Sequence, residues 1–364
     1  LLVKHIAIDA RYINRPGMGI YTYLIGLIDA LRAQDYKITL LVDKDLDDDS
    51  LLKQENLVIL RASNRIIWEQ ILLPRFLKKT QPDIFIAPAN FGIPLFYRKH
   101  STKFVLIIHD FIPLRFPLTY LLKRPIYMSE FLLSVPISIY RSDLILANSK
   151  FTANESMKLF HKKASNVYIP KQYKILKSVA STKHSTYPGK YFLYNSGADP
   201  RKKLGTLLQG FNTFNEAHPD YSLLIMGNGY DKYKSLVEAR QYTNIIFLGF
   251  VSEQEKIMYL QNAQAMITVS KMEGFGLPVL EAFCTGLPVI CSKNSALQEV
   301  ANDAALYIKS LTSASVAAAL NTFATLALKE KRQLISNGYR RVKFFNDFNS
   351  GLVISHKIRD LLEV

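Results

Sequence analysis

Cysteine is scarce in this chain, with two residues among 364, Cys284 and Cys291. They are not spaced as CxxC and no histidine cluster stands beside them. That argues against a disulfide framework and against a zinc site, and leaves two buried free thiols of the kind a reducing cytoplasm allows. Long apolar runs are also missing. The stretch 126–140 comes nearest to a membrane span, but Ser129, Glu130, Ser134 and Pro136 interrupt it, short of the roughly 20 apolar residues a spanning helix requires. The opening "LLVKHIAIDA" reads as a strand and not as a signal peptide. Acidic residues are in short supply, at 30 Asp and Glu against 46 Lys and Arg, for a net charge of +16. Such an excess favours anionic partners: phosphates, nucleic acid or acidic lipid. It is densest over residues 61–130, with eleven basic and four acidic side chains. Neither an RNA-binding aromatic signature nor zinc-finger spacing accompanies it, which argues against nucleic acid. The acidic run "DKDLDDDS" places Asp43, Asp45 and Asp47 like the first ligands of an EF-hand loop. Asp48 then stands where glycine is needed and Gln54 where glutamate is needed, so calcium is rejected in favour of a solvated loop.

What the chain does have is alternation. Strand-like apolar runs fall at 4–9, 37–42, 57–61, 83–87, 103–109 and 144–147, and again at 191–196, 222–226, 245–248, 265–269, 288–291 and 306–308. Several are apolar throughout, as strands covered on both faces should be, and helical stretches separate them. The length exceeds what one core usually serves. The pattern predicts an α/β protein of two Rossmann-like, doubly wound parallel sheets, with ligands at the C-terminal ends of the strands. The first domain is expected over 1–170. A polar, Lys- and Ser-rich linker is expected over 171–190, the second domain over 191–345, and a terminal helix over 346–364, with Leu352, Ile358 and Leu362 as its apolar contacts.

Four stretches carry candidate chemistry. In "EGFGLPVLE", Glu273 and Glu281 stand eight positions apart around a glycine–aromatic–glycine turn. Pro278 suits a first helical turn and Gly286 the residue just past the helix end. The amides of Phe275, Gly276 and Leu277 then lie at a helix N-terminus, where the dipole attracts an anion. Two carboxylates beside it would repel a bare phosphate but would accept hydrogen bonds from sugar hydroxyls, so the stretch suits a nucleotide-sugar. A plain strand–helix junction with solvated glutamates is the alternative. "SGADPRKKLGTLLQGF" puts Arg201 and Lys202 at the edge of the same sheet, as counter-charges for a diphosphate or as ordinary loop cations. Gly17 and Gly19 in "RPGMGIYTYL" let backbone approach a ligand, or simply make a turn. His109 ends a buried strand in "IIHDFIP", either facing a cleft or satisfied by its neighbours.

Together with "WEQILLPRFL", "LILANSKFTA" and "LGFVSEQEK", these stretches resemble the family-4 retaining glycosyltransferases of the GT-B fold over nearly the whole chain. The resemblance implies two Rossmann-like domains facing a cleft, a C-terminal helix crossing back to the first, and a nucleotide-diphospho-sugar donor, GDP- or UDP-hexose. It implies no metal and no separate cofactor. Carried over by position, Glu281 holds the ribose and Glu273 the donor sugar hydroxyls. The amides of Phe275, Gly276 and Leu277, with Arg201 and Lys202, hold the diphosphate, and backbone near Val251 meets the base. His109 lines the reaction centre, and Gly17 and Gly19 let the first domain close on the phosphates. Likeness to mannosyltransferases of surface polysaccharide synthesis implies mannose as the sugar and a glycan or lipid-linked saccharide as acceptor. The place of work is then the cytoplasm, at the inner face of an anionic membrane, for which the basic stretch 64–79 is one candidate contact and an ordinary packed helix the other reading. A catalytically silent relative that binds a partner enzyme is the rival function. Two departures matter: Ala198 stands where relatives carry an arginine, leaving the diphosphate to Arg201 and Lys202, and "IPKQYKI" replaces the usual hinge sequence.

Overall fold

The computed structural model describes residues 3–15, 17–46, 56–97, 101–176 and 187–363. In its first unit, seven strands run parallel: β1 (Lys4–Asp9), β2 (Tyr36–Val42), β3 (Asn56–Ile59), β4 (Ile84–Ala87), β5 (Lys103–Ile108), β6 (Leu144–Ala147) and β7 (Ser165–Asn166), in the order β3-β2-β1-β4-β5-β6-β7. The second sheet is built from β8 (Lys190–Asn195), β9 (Tyr221–Met226), β10 (Ile245–Gly249), β11 (Ala265–Thr268), β12 (Val289–Ser292) and β13 (Ala305–Ile308), in the order β10-β9-β8-β11-β12-β13. Each apolar run in the sequence became a strand, with ends shifted by at most two residues. Only β7 went unread, because a two-residue Ser-Asn strand carries no hydrophobic signal.

The burial explains the pattern. All four residues of β4, and all six of β9, are buried, since helices cover both faces. Phe85, Phe104, Phe131 and Trp68 fill the first core. Phe192, Phe211, Phe214 and Tyr221 fill the second. Strand order reverses between β1 and β4 and again between β8 and β11. The loops leaving those neighbours turn to opposite faces, which opens a crevice at the C-terminal ends.

The chain divides into Leu1–Lys171 with Phe348–Val364, and Gln172–Asp347. Of the expected linker, Lys171 closes the first stretch of the first unit and residues 172–176 belong to the second. Tyr173 exchanges hydrogen bonds with the Asn346 side chain (2.8 and 2.9 Å), and the Leu176 amide donates to the Cys284 carbonyl (2.8 Å). Residues 177–186 of that stretch, like Asp47, Asp48 and Gln54, lie outside the described residues. The terminal segment is not one helix over 346–364. Leu328–Phe348 ends at Asn349, whose left-handed backbone (φ 48°) breaks the run, and Ser350–Glu363 comes after it. That last helix packs on Gly19–Arg32 through Gly351, which faces Ala30, and through buried Ile354 and Ile358. Leu352, expected as a contact, is exposed, because Ile354 takes the inward face.

Gly26 sits where Gly19–Arg32 meets the chain leaving the first unit: a Cβ there would overlap the Pro170 carbonyl oxygen. Backbone cannot yield as a side chain does, so Gly26→Ala should cost about 1–3 kcal/mol or more by overpacking. Gly205→Ala is the control, since its Cβ would meet only Tyr233 at 3.8 Å. Thermal melts should show a clear loss for the first and little change for the second.

Candidate functional site

The loop after β11 takes its shape from the glycine that ends it. Gly276 adopts φ 109°, and a Cβ there would stand 2.9 Å from Leu297 Cδ2, so both backbone and space call for glycine. The helix Leu277–Cys284 starts on it, with Pro278 in the first turn and no side-chain cap. Phe275 is buried against Phe345 (ring centroids 5.6 Å apart), so its side chain belongs to the core. The loop is pinned from the β12 side. The Ser270 amide donates to Ser292 Oγ (3.0 Å), Asn294 Nδ2 to the Ser270 carbonyl (2.8 Å), and the Glu273 amide to Ser295 Oγ (2.9 Å).

The loop after β8 reaches the same place. A single 3-10 turn, Pro200–Lys202, is capped by Asp199, whose Oδ1 accepts from the Arg201 amide (3.0 Å). Arg201 Nη1 donates to the Met272 carbonyl (2.6 Å) and pairs with Glu273 Oε2 (2.8 Å). Lys202 Nζ lies 3.5 Å from Glu273 Oε1 and donates to Ser196 Oγ (2.5 Å). The Glu273 side chain is 13% exposed, and the two cations 15% each. Burial alone would raise the Glu273 pKa, but the charges of Lys202 and Arg201 and hydrogen bonds from Arg201 and Ser270 outweigh it, and the carboxyl is held below its ordinary value. Burial lowers that of Lys202, with Glu273 opposing. The sequence brought these three residues to one sheet edge but held no sign that Glu273 would be their counter-ion.

Glu281 has its own partner. Lys256 Nζ lies 3.3 Å from Glu281 Oε1 and 2.9 Å from Glu253 Oε1. Burial lowers the Lys256 pKa, yet Glu281 and Glu253 raise it further, so the ammonium is retained. Lys256 rides on Glu253–Asn262, a helix begun by a Ser252–Glu255 capping box, and half-buried Val251 precedes that cap. Lys256 was not singled out from the sequence. A lysine four residues after a capping serine could be recognised only once Glu281 was placed.

In the first unit, Gly17 (φ 86°) lies in the turn before Gly19–Arg32, which Gly19 opens. His109 is buried. Its Nε2 lies 2.6 Å from the Pro88 carbonyl, which can only accept, so Nε2 carries the proton and Nδ1 the lone pair. The Asn90 side chain accepts from its amide (2.6 Å), and Tyr23 packs edge-on (5.1 Å). Burial lowers the His109 pKa to about 4, against the Pro88 hydrogen bond. The sequence missed a second cluster at the end of β1. Arg11 bridges Asp9 (2.7 Å) and Glu69 (2.9 Å) and stacks on Trp68 at 3.8 Å from the ring centroid. Arg65 reaches Glu69 (3.2 Å) and Glu130 (3.3 Å). A carboxylate closing a buried strand, as Asp9 does, was the available signal, because such a group must find a cation.

The His109 shift carries a sign. As pH falls below about 6.5, the unfolded chain binds a proton that the folded one refuses until about 4. Stability should therefore drop across that window, by about 3 kcal/mol at most from this group. Melting temperatures of the wild type and His109→Gln from pH 7.5 to 4.5 should converge as pH falls, because the variant lacks this loss.

Residues 18–170 match the family described as Glycosyltransferase Family 4, and residues 181–341 that described as Glycosyl transferases group 1. O-antigen chain mannosyltransferase B of Escherichia coli is 31% identical over 58% of this chain and 59% of its own length. O-antigen chain mannosyltransferase RfbU of Salmonella typhimurium is 30% identical over 56% of each. The chain thus spans less than two thirds of these relatives. Among solved structures, sucrose-phosphate synthase from Thermosynechococcus elongatus superposes with a TM-score of 0.78 at 16% identity, covering 99% of both chains. Anabaena HepE in complex with UDP-glucose does so at 0.72, with the same identity and coverage. Those likenesses establish the two-sheet GT-B fold, and the two family matches, taken with the relatives, establish that the chain belongs to the family-4 glycosyltransferases.

Proposed function

We propose that this glycosyltransferase moves a hexose, mannose in our reading, from a nucleotide-diphospho-sugar to a glycan or lipid-linked saccharide at the cytoplasmic face of a membrane, with retention at the anomeric carbon. The observation that carries the reading is Glu273 held between Arg201 and Lys202 where the second sheet reverses. The names of the relatives support mannose and a surface glycan. The UDP-glucose bound to HepE supports a nucleotide-sugar donor.

The chemistry rests on charge. A donor brings two phosphates to a place where Arg201 and Lys202 already share Glu273, with Asp199 Oδ1 3.7 Å from Arg201 Nε. The diphosphate takes over Arg201 and Lys202, and Glu273, partly released, accepts hydrogen bonds from donor hydroxyls. Arg201 and Lys202 then neutralise the nucleoside diphosphate as it leaves. With that task met by side chains, transfer is proposed to need no metal. Amides at the start of Leu277–Cys284 add to the same anion, and backbone near Val251 meets the base. Glu281, steadied at one oxygen by Lys256, takes the ribose. The acceptor oxygen bonds to the anomeric carbon on the face from which the phosphate departs, and the departing phosphate oxygen takes its proton. In the first unit, His109 is neutral at working pH with a lone pair on Nδ1, and the turn at Gly17 is open to a ligand. Intact Glu273, Glu281 and Lys202 speak against a silent partner-binding protein.

The test is sugar transfer to a saccharide acceptor in excess EDTA, comparing GDP-mannose with UDP-glucose and reading the product's anomeric configuration by NMR. GDP-mannose should serve, EDTA should leave the rate unchanged, and the configuration should be retained. Inversion, or activity restored only by Mg²⁺ or Mn²⁺, would count against the mechanism.

The two glutamates should separate in kinetics. Glu281→Gln should mainly raise the donor KM, because the ribose contact is the same in ground and transition states. Glu273→Gln should mainly lower kcat, because its contact strengthens as the ring becomes cation-like. It should also lower the melting temperature without donor, since Arg201 and Lys202 lose a buried counter-ion worth about 3–5 kcal/mol when one partner is removed. Equal KM effects with kcat untouched would make the pair a sugar clamp only.

A further inference from the structure

In the basic stretch 64–79, a membrane candidate by composition, Trp68, Leu73 and Leu77 are buried in the first core, and only Ile66 and Ile71 are left as exposed large apolar residues. A larger run of exposed apolar residues lies elsewhere in that unit. Two consecutive helices, Pro117–Lys123 and Pro125–Arg141, carry Leu118, Leu122, Ile126 and Leu133 at 72, 82, 76 and 69% exposure. On the first helix Leu118, Leu121 and Leu122 stand at i, i+3 and i+4, which is one face. On the second, Ile126, Leu133 and exposed Tyr140 fall seven apart, again one face, while Met128, Phe131, Val135 and Ile139 fill the opposite, inward one. All six residues of the knuckle Leu121-Leu122-Lys123-Arg124-Pro125-Ile126 are exposed. Isolated surface leucines need no explanation, but a run of them along two helices does.

Charge indicates what covers it. Lys123 and Arg124 project among these leucines and have no ion-pair partner among the described residues. Glu130, the single acid within the two helices, is engaged by Arg65 at 3.3 Å. A second copy of the chain, pairing through the same patch on a two-fold axis, would bring Lys123 and Arg124 near their own equivalents. An anionic bilayer satisfies both features, taking the apolar tips among acyl chains and the cations at the headgroups. We infer that the helix pair 117–141, led by the knuckle 121–126, docks this enzyme on an anionic membrane surface. The inference extends the reading above by naming the surface through which the enzyme would meet a lipid-linked acceptor. It stands on exposure and charge alone.

The full-length chain should be tested by flotation with phosphatidylglycerol–phosphatidylcholine vesicles and with phosphatidylcholine vesicles alone. Binding is expected to the first, weakened by salt. Leu122→Gln/Ile126→Gln should weaken it at least about tenfold. Lys123→Gln/Arg124→Gln should weaken it about thirtyfold, from about fivefold per cation at an anionic surface. Lys232→Gln/Lys234→Gln, which removes two exposed cations from the second unit, should change it little. All three variants alter exposed side chains and should melt with the wild type. Failure of the wild type to float, or equal effects of the two cation pairs, would overturn the inference. So would a dimer in sedimentation equilibrium that Leu122→Gln/Ile126→Gln dissociates. No donor or acceptor enters these assays, so a negative result leaves the transfer reading standing, and a failed transfer assay leaves this one standing.

Discussion

Glu273 is a nearly buried carboxylate that stays ionised because two cations from another loop close on it. The site of the second unit depends on that one contact. It ties the turn after β8 to the loop after β11, and two hydrogen bonds reinforce it, from the Arg201 side chain (Nη1) to the Met272 carbonyl and from the Lys271 amide to the Arg201 carbonyl (2.8 Å). Two cations left without a counter-charge at this depth would be costly. A carboxylate there keeps the place formed without ligand, and it can be relieved by an anion of higher charge. On the proposed function, that anion is the donor's diphosphate, and Glu273 holds its place in the ligand-free protein.

The first unit uses the same device. Asp9, Arg11, Glu69 and Arg65 alternate in sign at the end of β1, and the flat faces of Trp68 and Phe91 lie under the two guanidinium groups. A wide π-helical turn, Trp68–Leu72, delivers both Trp68 and Glu69 inward, which a regular helix would do less readily at adjacent positions. These ion pairs fix the loop after β1, as those of Glu273 fix the loops after β8 and β11.

The same economy of contacts governs the outer surface. The inward faces of Pro125–Arg141 and of 65–80 are consumed by the first core, and the apolar residues left over on 117–141 have no such use. A net charge of +16 favours contact with anionic surfaces over contact with like-charged ones.

The two sheets, their strands and the edge at which chemistry gathers were legible in the order of residues. Strands covered on both faces must be apolar throughout, and the connections of a parallel sheet must be helical, so the pattern admits few other folds. The strand–turn–helix around Gly276 was legible too, because φ and space together admit glycine alone there. Which charges meet was settled only by the packed chain. Glu273 and Lys202 are separated by 71 positions, Arg11 and Glu69 by 58, and Lys256 and Glu281 by 25, and nothing in a local pattern encodes a pairing made across loops. Packing likewise made Trp68 core and left Leu122 on the surface. Both stretches read as basic and apolar, and the difference lies in which helix face finds a sheet to cover.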